Sequence, residues 1–140
     1  MTPAPLWRRL AAAFYDAFLL LALWMVALWL DIVVRDALGL DRNWAVLRAG
    51  LFLVGLGFFG WFWTHGGQTL GMRAWRLQLR RADGRPVNWI TSAVRYAGAW
   101  IAWAPLGAGV LWCVLDRRRL AWHDRMSGTE LVLAPKPGAR

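Results

Sequence analysis

Charge in this chain is swept out of three long apolar blocks and collected in the segments between them. A soluble domain instead spreads charge along amphipathic elements that keep one wet face. Segregation of this kind belongs to helices whose solvent is lipid. With 140 residues the chain could enclose one core, so length alone is permissive. At 59% hydrophobic it is not a disordered chain, and the segregation argues against an ordinary soluble enzyme. The single cysteine, Cys113, excludes an intrachain disulfide framework and a multi-cysteine metal site.

Three blocks follow from the pattern. Leu10–Leu30 carries only Asp16, and about 20 apolar residues cross a bilayer core of roughly 30 Å. A cleaved signal peptide is the rival, given Arg8 and Arg9, but the run is too long and no small-residue cleavage site follows. The second span is expected at 45–63, with Gly50, Gly57 and Gly60 as a close-packing face and Trp61 and Trp63 in an interfacial belt. The third block, 89–115, contains Arg95 and is broken at Ala104-Pro105-Leu106-Gly107, where proline removes a donor and unsettles the residue before it.

The intervening charges choose between a turn and a kink at that break. Residues 1–9 carry Arg8 and Arg9, while 31–48 holds three arginines and three aspartates. Residues 64–89 hold five arginines and one aspartate, and 116–140 six basic and three acidic residues. Positive segments favour the cytoplasmic side, which puts both termini and the middle loop inside. After two crossings, the third block must then enter and leave by one face, as helices 89–103 and 106–115 turning at Pro105. A single kinked crossing is the rival. Arg76–Arg80 alternates with period two and Glu130–Leu133 also reads as a strand, so the two should pair at the cytoplasmic interface. The fold class expected is an all-α multi-span membrane protein with two transmembrane helices, a Pro-broken helical hairpin and a small cytoplasmic β element. One membrane domain, 1–134, would precede a flexible tail at 135–140.

Four ionised residues stand out because lipid makes them costly. A carboxylate at the depth of Asp16 costs roughly 2.5 kcal/mol or more, so it should face protein, water or a cation. Arg9, seven residues earlier, shares its helix face but sits about 10 Å away along the axis, so a third group is needed; Arg95 is a candidate. This charge network reads either as a structural tie or as a cation- or proton-handling site. His123 lies beside Asp124, whose charge would raise the histidine pKa towards the physiological range, so it reads either as a pH switch or as an interfacial histidine hydrogen-bonded in a turn. Two isolated histidines do not make a metal site, and no catalytic triad or nucleotide fingerprint is present. No cofactor is expected. Thr64–Thr69 reads as the exit turn of the second span rather than an anion nest. The basic residues flank spans and meet anionic headgroups of the lipid bilayer, so nucleic acid is not an expected partner.

These residues resemble the RDD family of membrane proteins, named for one arginine and two aspartates. Arg9 matches the arginine opening the first helix, Asp16 the aspartate within it, and Asp124 the late aspartate in Trp122-His123-Asp124-Arg125. The family's turn after the second span resembles Gly67-Gln68-Thr69-Leu70-Gly71, although Met72 intervenes before Arg73 where a basic residue usually follows at once. Arg95 fits the arginine of the later apolar block. The resemblance implies a multi-span integral membrane domain proposed to act in transport, with sodium/proton exchange reported for some members.

Two functions compete on this reading. One is a cation- or proton-coupled transport component in the plasma membrane, with Asp16 on the ion and Arg9, Arg95 and Asp124 around it. So short a chain would then need a homo-oligomer or a larger membrane partner. The other is a non-catalytic membrane scaffold or partner-docking module in which the same cluster is structural. A lipid-directed enzyme lacks a nucleophile–base pair and is the least favoured.

Overall fold

The computed structural model describes residues 2–135. In chain order it contains α1 (Leu6–Leu38), α2 (Trp44–Thr64), α3 (Leu70–Ala74), β1 (Leu77–Arg81), α4 (Trp89–Trp103), α5 (Ala108–Leu115), α6 (Trp122–Ser127) and β2 (Thr129–Leu133). The tail expected at 135–140 lies, but for Pro135, outside the described residues.

α1 and α2 are long and apolar enough to cross a membrane. α1 runs well beyond the expected 10–30, because a charge such as Asp31 marks the edge of lipid but does not stop a helix. Gly39 does: at φ 63° it takes the left-handed conformation that closes the last turn, its N–H and that of Leu40 capping Asp36 and Arg35 carbonyls. Asp31 and Arg35, one turn apart, pair at 2.9 Å on the protruding end. Burial on α1 is inside-out. Its only buried residues are Arg9, Ala12 and Asp16, while Phe14, Phe18, Leu21, Met25 and Trp29 are exposed. In water that would reverse the ordinary preference; in lipid it is what polar side chains require.

α2 begins at Asn43, whose side chain caps the Ala45 and Val46 N–H groups. It meets α4 through Gly55, where a Cβ would stand 2.1 Å from Tyr96 Oη, and through Gly60, where one would stand 2.4 Å from the Trp89 ring. Gly50 and Gly57, expected on the packing face, have open space beside them. Trp63 is likewise turned inward, whereas Trp61 is exposed and stacks on His65.

α4 and α5 meet at 95°, a corner rather than a straight span. Leu106 (φ 55°) and Gly107 (φ 80°) make the bend after Pro105. β1 and β2 pair antiparallel, with Leu77 opposite Leu133 and Arg81 opposite Thr129. Pro3 bridges Val132, and the Ala4 N–H donates to the Leu131 carbonyl. Residues 3–4, β1 and β2 are thus gathered at one end of the helices, around a core that includes Ala12, Trp63, Met72, Leu77, Leu79 and Leu131.

Candidate functional site

Beneath that sheet, α6 is pressed onto α4 so closely that a Cβ on Gly98 would lie 3.3 Å from the His123 backbone. This brings Asp124, the third residue of α6, against Arg95 on α4 and Arg9 on the first turns of α1. Arg95 Nη1 donates to Asp124 Oδ1 at 2.5 Å, and Arg9 Nη1 to Oδ2 at 2.7 Å. The Ala121 N–H reaches Oδ2 at 3.0 Å. All three side chains are buried, with Asp124 at 0% exposure. Burial alone would raise the Asp124 pKa, but the charges of Arg95 and Arg9 outweigh it and hold the carboxyl well below its usual range.

Each arginine is further engaged. Arg9 Nε donates to the Ala4 carbonyl at 3.1 Å, and its Nη2 to those of Arg119 at 2.9 Å and Leu131 at 3.4 Å. Arg95 Nη1 also donates to Thr129 Oγ1 at 2.7 Å, and its guanidinium lies 5.2 Å from the Trp63 ring centroid. Thr129, Trp63 and these carbonyls were not legible as partners. A threonine directly after the α6-capping Gly128 was the one local signal.

Asp16 is held elsewhere. Its Oδ2 accepts from the Thr69 hydroxyl and its Oδ1 from the Gly71 N–H at 2.9 Å. Thr69 Oγ1 in turn accepts the Met72 N–H at 3.2 Å, capping α3. Arg95 therefore bridges to Asp124 and not, as expected, between Arg9 and Asp16. Gly71 is required at its place, since a Cβ there would fall 2.4 Å from the Ala12 carbonyl. Gly67 (φ 68°) abuts the Leu79 carbonyl and accepts the Leu79 N–H at 2.7 Å, which seats the turn on β1.

The turn and the four charged residues all lie within one stretch of similarity: a model of the RDD family matches residues 3–128. The chain belongs to the RDD family. No match was found among curated proteins or solved structures. In this RDD chain the arginine and the two aspartates form two centres, one ionic around Asp124 and one hydrogen-bonded around Asp16.

His123 corrects an expectation. Its Nε2 stands 3.6 Å from Asp124 Oδ1, yet its pKa is lowered to about 3, first by burial and then by the Arg95 charge. The neighbouring carboxylate pulls upward but is already neutralised by two arginines, so the imidazole is held towards its uncharged form, opposite to the shift expected.

Proposed function

We propose that the chain is a non-catalytic, multi-pass module of the plasma membrane whose Arg/Asp cluster is a clasp, presenting the small sheet to a partner on the cytoplasmic face. The saturation of Asp124 carries this reading: both oxygens are taken, by Arg95 and by Arg9 with the Ala121 N–H. A carboxylate that passes a proton or cation along must exchange partners, and Asp124 already accepts from two arginines and a backbone N–H, while Asp16 accepts from Thr69 and Gly71. The pairing of β1 with β2 supports a re-entrant third block. If α1 and α2 both cross, β1 lies on the side where the chain starts, and β2 must share it. α4 and α5 are about 22 Å and 12 Å long and set at 95°, a geometry suited to entering and leaving by one face. The concentration of arginine on the sheet end supports a cytoplasmic position for that face.

Asp16→Asn and Asp124→Asn, scored for membrane abundance and ion-dependent growth, test the clasp. Loss of abundance with unchanged growth per molecule is expected. Normal abundance with lost ion-dependent growth would instead support a cation- or proton-transport component, with Asp16 on the ion and a homo-oligomer walling the path. A side-specific reporter after residue 135 tests topology, and external labelling would remove the re-entrant reading.

A further inference from the structure

α1 leans on α2 and α3 but touches α5 only slightly, which leaves a cavity of about 830 Å³ between α1 and the α4–α5 corner. Its walls are apolar: Ala13, Ala17, Leu20 and Trp24 on α1, facing Ala99 and Trp103 on α4. Along α1 it extends from Arg9 to Trp24, roughly 22 Å. That volume lies within the range of sites that enclose a small molecule. Arg9, Asp16 and Arg95 line its other end.

Arg95 is 5% exposed and spends only Nη1 on Asp124 and Thr129. Among the described residues its Nε has no acceptor and its Nη2 makes no hydrogen bond. A buried guanidinium with idle donors calls for an oxygen acceptor. Asp16 is held by Thr69 and Gly71, and among the described residues no hydrogen bond joins it to Arg95. Charge adds the second constraint. Within the described residues the three segments that meet around the sheet carry a net charge of +7, while 31–48 sums to zero and Asp16 cancels Arg95.

We propose that one anionic phospholipid binds here, with an acyl chain between α1 and α4 and a phosphate oxygen on Arg95. A helix from a second copy is the rival occupant of the apolar walls.

The full chain, extracted from vesicles of equal phosphatidylglycerol and phosphatidylcholine with matched acyl chains, is examined by native mass spectrometry. One phosphatidylglycerol per chain is expected, retained at least about five-fold over phosphatidylcholine. Ala17→Trp, on an exposed position of the α1 wall, should lower that retention at least about five-fold by filling the cavity. Should it fail to fold, Ala99→Trp blocks the opposite wall. Equal retention of both lipids by the unaltered chain, a lipid-free dimer, or unchanged binding in a folded groove variant would each overturn the proposal.

Discussion

Arg9 Nη1 stands 2.7 Å from Asp124 Oδ2 although the two residues lie 115 positions apart. Asp124→Asn would leave Arg9 and Arg95 buried without a counter-charge, a change that costs about 3–5 kcal/mol. Melting of the purified chain in detergent should show that loss. Exchanging the charges, Arg9→Asp with Asp124→Arg, should not restore it, because Arg9 also serves the Ala4, Arg119 and Leu131 carbonyls.

Asp16→Asn should be milder. An amide oxygen still accepts from the Gly71 N–H, and the loss is on the order of 1–2 kcal/mol. Gly71→Ala should be worse than Asp16→Asn, since its methyl would collide with the Ala12 carbonyl and with Asp16 itself. An inverted order in the same melting assay would show that the carboxylate charge, and not the fit of α3 against α1, is what counts.

The glycines of α2 offer an internal control. Gly57→Ala has open space and should be neutral or stabilise by up to about 1 kcal/mol through helix propensity. Gly55→Ala and Gly60→Ala must displace Tyr96 or Trp89 and should each cost roughly 1–3 kcal/mol. Equal effects at all three positions would contradict the α2–α4 contact.

Acid should weaken the fold through His123. The unfolded chain takes up a proton near pH 6.5, whereas the folded chain refuses it until about 3. The imidazole's contribution is therefore complete above pH 6.5 and declines as pH falls towards 3, by up to about 1.4 kcal/mol per unit. His123→Gln should flatten the slope of stability against pH in that window.

Strand register can be read chemically. In a Cys113→Ser background, cysteines at the opposed partners Arg80, exposed, and Glu130, half-buried, should oxidise to a disulfide, as opposed Cα atoms lie about 4.5–5.5 Å apart. A pairing shifted by one residue would join position 80 to 129 or 131 instead.

What could be read from residues alone was whatever lipid or water penalises. Charge segregation located α1, α2 and the broken third block, and period-two alternation located β1 and β2 one residue from where they lie. The same cost of buried charge brought Arg9, Arg95 and Asp124 to notice. It misdirected Asp16, because reasoning from charge seeks an opposite charge, and the residues that satisfy this carboxylate are an uncharged hydroxyl and a backbone N–H. Gly67-Gln68-Thr69-Leu70-Gly71 was visible as a turn, but nothing in its composition said that it would face α1. Helical spacing also could not rank the α2 glycines, since which side meets α4 depends on where Tyr96 and Trp89 project.

The distance along the chain between Arg9 and Asp124 sets a waiting time. At synthesis rates of about 5–20 residues per second, the first helix emerges roughly 6–23 seconds before its counter-ion is made. Throughout that interval a nascent protein carries an unmatched guanidinium at the edge of the bilayer, and a product cut short before Trp122 would carry it permanently.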